Sequence, residues 1–222
     1  ITANNFDGVL LDHSSNNIIS NNIIANNKWG LLLYYSSSHN RISGNTVANN
    51  EWCIRIYYFS IYNSVLGNLI LNNSVGILLD VSSNNSVCHN NFVNNTCQVY
   101  TYESVNVWDN GYPSGGNYWS DYKGVDLCSG HHQNETESDG ISDTRYTIDA
   151  NNVDRFPLAA PITTFDAGAW NGVPYNVDVV SNSTVSDFYF YPDEGPFLRF
   201  NVSSQNGTAG FCRVSIPKDL LW

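Results

Sequence analysis

The sequence predicts an all-β protein: a right-handed parallel β-helix of 22- and 23-residue coils, then an irregular capping segment and a small antiparallel β-sandwich. Three observations predict it. An Asn-Asn pair recurs at nearly constant steps, a short apolar strand follows each pair, and the apolar positions keep their spacing from coil to coil. One such repeat cannot bury its apolar face alone, so the repeats must stack into a solenoid.

The Asn-Asn pairs mark the coils. The pairs are Asn4-Asn5, Asn26-Asn27, Asn49-Asn50, Asn72-Asn73 and Asn94-Asn95. Their steps are 22, 23, 23 and 22 residues. The extra residue of the two middle coils falls in the turn after the first strand, where an insertion costs little. A leucine-rich-repeat solenoid is the alternative, but here Asn and not Leu holds the fixed positions.

Alternation within the strands assigns the core. The inward residues are Val9 and Leu11, Leu31 and Leu33, Ile54 and Ile56, Ile77 and Leu79, and Val99 and Thr101. A further column contains only asparagine: Asn22, Asn45, Asn68 and Asn90. Buried amides are costly when unpaired, but in a stack each amide can bond the next one. We therefore predict a structural Asn ladder.

The pattern divides the chain into three parts. Residues 1–106 are predicted to be the β-helix, 107–162 an acidic, aromatic capping segment, and 163–222 a β-sandwich-like domain. Four strand-like runs separated by turn residues lie in the last part. The chain starts within a coil and ends on three apolar residues, so we expect it to continue at both ends.

Composition limits the partners. Acidic residues outnumber basic ones by 20 to 9, a net charge of −11. Nucleic-acid binding needs basic patches, so no nucleic-acid partner is expected. No apolar run is long enough to span a membrane. Cations are the small partners that this charge favours.

Aspartates gather in the capping segment: Asp121, Asp126, Asp139, Asp143, Asp149 and Asp154. The run from Ser138 to Asp143 resembles half of a calcium loop, with Asp, a Gly turn and Asp again. Calcium is therefore a predicted cofactor. The alternative is a solvated acidic loop held by turns and hydrogen bonds.

Seven N-x-S/T sequons predict a secreted, glycosylated protein of the cell surface. Their acceptors are Asn72, Asn84, Asn94, Asn134, Asn182, Asn201 and Asn206. Five cysteines show neither CxxC nor zinc spacing, and their pairing stays open.

The runs WDNGYPSGGNYWSDYKGVD and SDGISDTRYTIDANNVDRFPL, together with the Asn-rich coils, resemble the NosD-like family of parallel β-helix repeat proteins. Large archaeal surface proteins with this segment after the coils are the most similar in pattern. The resemblance covers about residues 1–160 and implies an exported β-helix. We expect no copper site despite the family's copper-binding label. The chain has no Met, and His13, His39 and His89 fall at different points of their coils.

Catalysis is not expected. The outward Asp12 and Asp80 lie three coils apart, roughly 14 Å at the strand spacing, whereas a glycosidase pair needs about 5–9.5 Å. Arg55 is the one base on this face, and a lyase acting on uronates would need several. A polysaccharide lyase or hydrolase is the least favoured reading.

Tyrosines mark a candidate binding face on the outer side of the strands: Tyr34, Tyr57 and Tyr102 with Arg55, accompanied by Tyr35 and Tyr58. They can pack on a partner, stack on sugars, or simply cover the strands. We predict an extracellular, non-catalytic structural glycoprotein that assembles with itself, as a filament or surface layer, through the open first coil and the C-terminal domain. A carbohydrate-binding or adhesion module is the alternative.

Overall fold

The computed structural model describes residues 1–170, 172–191, 197–204 and 210–220. Its first part is the predicted parallel β-helix, with three parallel sheets running along the stack. The first sheet contains the long strands β1 (Asp7–Asp12), β4 (Trp29–Tyr34), β7 (Trp52–Tyr57), β10 (Val75–Asp80) and β13 (Cys97–Tyr102). The second contains β2 (Ile18–Ser20), β5 (Arg41–Ser43), β8 (Ser64–Leu66) and β11 (Ser86–Cys88). The third contains β3 (Ile23–Ala25), β6 (Thr46–Ala48), β9 (Leu69–Leu71), β12 (Asn91–Val93) and β14 (Tyr118–Trp119).

The corners of the coils explain why asparagines are so often paired. Each corner places a residue of positive φ directly before a ladder asparagine. The positive-φ residues are Asn16, His39, Tyr62 and Asn84; Asn21, Gly44, Gly67 and His89; and Asn26, Asn49, Asn72 and Asn94, with φ between 52° and 65°. Asparagine and glycine tolerate this left-handed conformation better than other residues. The first Asn of a pair therefore makes the turn, and the second faces inward.

The predicted core columns lie inside the coils. Leu31, Leu33, Ile54, Ile56 and Ile77 are fully buried in one continuous cluster. The extra residue of the middle coils lies where the spacing placed it. Three positions separate Tyr34 from Ser37, whereas two separate Asp12 from Ser14, although each pair is aligned across the coils.

The stack continues past residue 106, where the sequence pattern stops. Val107 forms a parallel bridge with Ser86, and β14 adds a fifth strand to the third sheet. Trp108 and Trp119 are 1% exposed and pack on the last coil. Two small hairpins follow, formed by β15 (Cys128–Ser129) with β16 (Glu135–Thr136) and by β17 (Tyr146–Thr147) with β18 (Val153–Asp154).

Two antiparallel sheets form the C-terminal part. One contains β19 (Ile162–Trp170), β20 (Val173–Ser181) and β23 (Cys212–Ser215), and the other β21 (Thr184–Tyr191) and β22 (Phe197–Ser203). Side chains from both sheets share one apolar cluster around Val177 and Val179. A 3₁₀ turn covers Lys218–Leu220. Within the described ranges, no helix is both long and apolar enough to cross a membrane.

Candidate functional site

Asparagines form hydrogen-bonded ladders along the axis of the β-helix. In the column of Asn22, Asn45, Asn68 and Asn90, each backbone N–H and each Nδ2 donates to the Oδ1 of the next coil's asparagine at 2.9–3.1 Å. Each inner Nδ2 also donates to a backbone carbonyl. These bonds satisfy the amides of Asn45, Asn68 and Asn90, which are at most 1% exposed.

Two further asparagine ladders and a serine ladder were not predicted. One asparagine ladder contains Asn4, Asn27, Asn50, Asn73 and Asn95, and the other Asn17, Asn40, Asn63, Asn85 and Asn106. In the serine ladder, N–H groups donate to Oγ atoms along Ser14, Ser37, Ser60, Ser82 and Ser104. Two features of the sequence could have predicted these ladders: the second residue of each Asn-Asn pair and the Ser-rich turns. The ladders account for the asparagine content as structure, without a ligand.

The tyrosine face consists of two rows of stacked rings. Tyr34 and Tyr57 stack with ring centroids 5.7 Å apart and planes 5° apart. Tyr35 and Tyr58, next to them, stack at 5.3 Å and 13°. Because the rings face one another, they present mainly their edges and hydroxyl groups to solvent. Tyr35 and Tyr58 have positive φ, as do His13, Val81 and Glu103 at the same point of the other coils. The extra residue of the two middle coils adds a second positive φ, at Ser36 and Phe59.

Arg55 lies over this face. Its guanidinium carbon is 4.2 Å from the Tyr57 ring centroid and 5.7 Å from that of Trp29. Its Nε is buried and has no hydrogen-bond partner among the described residues. Trp29 and Trp52 pair across β4 and β7 and were not predicted as part of this face. Their spacing of 23 residues, equal to the repeat, could have indicated that they align.

Hydrogen bonds between neighbouring phenols make the face hard to ionise. The bond with Tyr35 raises the pKa of Tyr34 to about 12, and the bond with Tyr58 does the same for Tyr57. These tyrosines therefore stay neutral at physiological pH.

Tyr102 stands apart from the stacked rows. Asp80 occupies the rung between Tyr57 and Tyr102. Tyr102 is 52% exposed, and so is its neighbour Tyr100 to 51%. Neither ring stacks on another aromatic ring within the described residues, so about half of each side chain is accessible without an aromatic neighbour.

The aspartates predicted to bind calcium hold loops instead of meeting at one point. Asp126 accepts hydrogen bonds from Ser138 Oγ and from the N–H groups of Asp139 and Gly140. Asp139 accepts from the N–H of Ile141. These contacts are turn-stabilising bonds of the kind that acidic side chains make in loops.

The remaining aspartates are engaged in the same way. Asp143 accepts from the N–H groups of Leu127 and Cys128, and Asp149 from those of Asn151 and Asn152 and from Thr101 Oγ1. Asp121 accepts a 3.3 Å bond from the Tyr146 hydroxyl. Among the residues that the structure describes, no three His, Cys, Asp or Glu side chains are placed to hold a metal ion. The predicted calcium set is therefore dispersed.

Asp154 closes the first ladder and is fully buried. Its carboxylate accepts bonds from Asn117 N at 2.8 Å, Trp119 Nε1 at 2.9 Å and Phe156 N at 3.1 Å. Burial raises the pKa of Asp154 to about 7, although the N–H donors act in the opposite direction. The Asn17 ladder is closed in a similar manner, by Asn152 Oδ1.

The sequon asparagines lie at the surface. Asn72, Asn84, Asn94, Asn134, Asn182 and Asn201 are all exposed. The seventh acceptor, Asn206, lies outside the described residues. Access for a glycan is therefore open at six positions, and their occupancy stays a prediction.

Comparison with known proteins gives one family. Residues 1–124 match the family described as "Periplasmic copper-binding protein (NosD)", and this span is more than half of the 222-residue chain. No curated protein matches the chain. The match spans the coils and the start of the capping segment.

The residues of this chain do not fit a copper site. Methionine is missing from the sequence, and copper prefers thioether, thiolate or imidazole ligands brought together. His13 stacks on Tyr35, His39 stacks on Tyr62, and His89 bonds Ser114. The rings of His131 and His132 lie 5.0 Å apart, but no third His, Cys, Asp or Glu of the described residues joins them to hold a metal ion. The family assignment therefore rests on the coils and their order rather than on a metal centre. The chain belongs to the NosD family.

Proposed function

We propose that this chain is an exported, non-catalytic structural protein of the cell surface. The observation that carries the proposal is the set of continuous axial ladders. Three asparagine ladders and one serine ladder connect each coil to the next, and two pairs of stacked tyrosines join two of the coils. Because these side chains bond successive coils along the axis, we expect the β-helix to be a stiff rod. The periplasmic description of the family supports export.

The outward face supports a role without catalysis. Asp12 and Asp80 occupy the same column but are separated by Tyr34 and Tyr57. Three rungs correspond to roughly 14 Å, which is too far for a carboxylate pair of a glycosidase. Arg55 packs on the rings of Tyr57 and Trp29, and Lys28 contacts the Trp29 ring as well. The separation of the two aspartates is what supports a role without hydrolysis.

Packing against a partner copy is the use that the tyrosine face suits. Stacked rings lose little conformational entropy when they are covered, since each is already held by its neighbour. Neutral edges with hydroxyl groups favour a protein surface over a charged polymer. The first coil and the C-terminal domain remain predicted contacts for the same assembly.

Sedimentation of the purified protein over a range of concentrations tests this role. We expect oligomers or filaments, seen also by negative-stain electron microscopy, and their loss in Tyr58→Ser. Tyr62→Ser is the control, because Tyr62 has positive φ like Tyr58 and lies in the same coil but outside the tyrosine rows. Monomers at all concentrations, or equal assembly in both variants, would contradict the proposal.

Carbohydrate binding is the second candidate, and the half-exposed rings of Tyr100 and Tyr102 favour it. They stand two residues apart on one strand face, about 7 Å from each other. Two exposed rings at this distance can stack on neighbouring sugars. A glycan array on which Tyr102→Ala removes the signal and Tyr62→Ala preserves it would support this function, and an array without hits would sink it.

A further inference from the structure

Two arginines meet at the end of the β17–β18 hairpin. In this hairpin Tyr146 pairs with Asp154 in antiparallel register. One position further out, Arg145 stands opposite Arg155. Like charges at directly opposed positions destabilise a strand pair. The chain has only nine lysines and arginines, so placing two of them face to face calls for a physical reason.

Arg155 is held rigidly by a buried carboxylate. Its Nε and Nη2 donate to the two oxygens of Asp109 at 3.0 and 2.6 Å, and its backbone N–H donates to the same group. The Asp109 side chain is 2% exposed, whereas that of Arg155 is 63% exposed. Its guanidinium is therefore fixed on one edge and open on the other, as a pre-organised anion-binding group is.

Arg145 has no such partner. Its side chain is exposed, and no carboxylate in the described part of the chain pairs with it. Asp109 is already paired with Arg155. The guanidinium of Arg145 is consequently free to bind an anion from solution.

Both arginines line one shallow pocket of about 390 Å³ that is largely open to solvent. This volume is within the range of small-molecule sites. The other lining residues are His131, His132, Gln133, Asp143, Thr144 and Phe156. The imidazoles belong to the turn between β15 and β16, and the ring centroid of His131 lies 6.0 Å from that of Phe156. Phe156 contributes an apolar ring, with the Arg155 guanidinium carbon 5.6 Å from its centroid.

One carboxylate also lines the pocket and opposes an anion. Asp143 accepts N–H bonds from Leu127 and Cys128, which offset part of its charge. Asp109 balances the charge of Arg155, so the unpaired positive charge of the pocket is that of Arg145. The imidazoles of His131 and His132 add ring nitrogens that can bond an anion.

We infer that this pocket binds the carboxylate of an acidic sugar, a hexuronate. The planar carboxylate matches the fork of a guanidinium, the exposed Thr144 suits a ring hydroxyl, and the sugar's C–H face suits Phe156. The site lies on the capping segment, apart from the tyrosine face. It requires neither self-assembly nor the sugar-stacking pair at Tyr100 and Tyr102.

Amide NMR titration at constant ionic strength tests the inference, with sodium D-glucuronate, D-glucose and sodium sulfate as separate probes. We expect glucuronate to shift the resonances of Arg145, Arg155 and the His131-His132 turn. Glucose should not shift them. Arg145→Gln should weaken glucuronate binding about tenfold, the loss of one charge-assisted bond. Arg41→Gln, an exposed arginine on β5, should leave it unchanged.

Asp143→Asn gives a prediction of opposite sign. Removing the one opposing charge should tighten glucuronate binding, while asparagine retains an oxygen for the N–H of Cys128. Unshifted resonances with glucuronate, equal affinity of Arg145→Gln and Arg41→Gln, or weaker binding by Asp143→Asn would overturn the site. If sulfate binds at least as tightly as glucuronate, the hexuronate assignment is overturned, and the pocket is an adventitious site for small anions only.

Discussion

The Nδ2 of Asn68 donates to the Oδ1 of Asn90 at 2.9 Å, one coil further along the β-helix. The Oδ1 of Asn68 meanwhile accepts the backbone N–H and the Nδ2 of Asn45, both at 3.0 Å. A buried asparagine in this stack is thus bonded on both sides. Polar interiors are stable only when such bonding is complete.

Replacing Asn68 with alanine should break the ladder in its middle. The N–H of Asn45 and the carbonyl of Ile42 would lose their partners in a buried environment. Each unsatisfied group costs about 1–3 kcal/mol, so we expect the free energy of unfolding to fall by about 3 kcal/mol or more. Urea denaturation monitored by circular dichroism measures this free energy of unfolding.

Asn84→Ala is the matched control for the ladder. Asn84 is exposed and contributes only its left-handed turn, with φ of 62°. Alanine in that conformation costs about 1 kcal/mol. Equal losses in the two variants would mean that the ladder bonds contribute nothing beyond the turns.

Gly76 is a position where any side chain should be excluded. A Cβ there would lie 2.5 Å from the backbone oxygen of Gln98, on the next coil. Backbone cannot move aside without disturbing the sheet, so Gly76→Ala should cost about 2–3 kcal/mol. Gly67→Ala should cost about 1 kcal/mol, because it meets no atom within 4 Å but has φ of 64°. Thermal unfolding of both variants measures which loses more stability. If Gly76→Ala is more stable than Gly67→Ala, the close approach at Gly76 is refuted.

The coils could be predicted from the sequence because their contacts repeat at a fixed step. A column such as Ile54 and Ile77 is visible in one dimension, since the same chemistry returns every 22 or 23 residues. The closure of the stack could not be predicted in this way. The Asn90 to Asn117 rung spans 27 residues, and Asn117 is then closed by Asp154, 37 residues further on. No period connects these residues.

The candidate sites also differ in whether they repeat with the coils. The tyrosine rows were visible, because they repeat with the coils. The acidic residues were grouped by proximity in sequence, whereas the fold gives each aspartate its own N–H donors. The facing of Arg145 and Arg155 depends on the register of a hairpin whose strands are two residues long. A pattern of that length carries too little signal to set a register.

Trp119 should make the capping segment part of the same folding unit as the coils. Its ring stacks between Phe92 of β12 and Tyr146 of β17, with centroids 4.3 Å from each. Removing a buried Trp side chain typically costs about 3–5 kcal/mol. We expect Trp119→Ala to lower the stability of the coils as well, with one transition by circular dichroism and by tryptophan fluorescence. Coils that unfold at an unchanged urea concentration would show that the segment folds independently.

Calcium should have little effect on stability. The predicted carboxylates already accept bonds from the protein, and those of Asp126 and Asp143 go to backbone N–H groups. A cation would have to replace these bonds. We expect the melting temperature in EDTA and in millimolar CaCl₂ to agree within about 1 °C, less than the shift from 1 kcal/mol. A rise of several degrees with calcium, absent with magnesium, would restore the calcium prediction.

Asp154 should make stability fall as pH rises from about 4 to 7. Burial raises its folded-state pKa to about 7, above the usual value near 3.9 in an unfolded chain. Between these values the folded state holds a proton that the unfolded state has lost. Its stabilisation is therefore complete below about pH 4 and is lost as pH rises through 7.

Asp154→Asn isolates this effect, because asparagine cannot lose the proton. The variant should gain stability relative to the wild type between pH 4 and 8, by roughly 1.4 kcal/mol for each unit of the pKa difference. Other groups cancel when the two proteins are compared at the same pH. Asp12→Asn, at an exposed carboxylate, should show no comparable change. If the difference between wild type and Asp154→Asn stays flat over this range, then the three N–H donors of Asn117, Trp119 and Phe156 keep the buried carboxylate charged in the folded state.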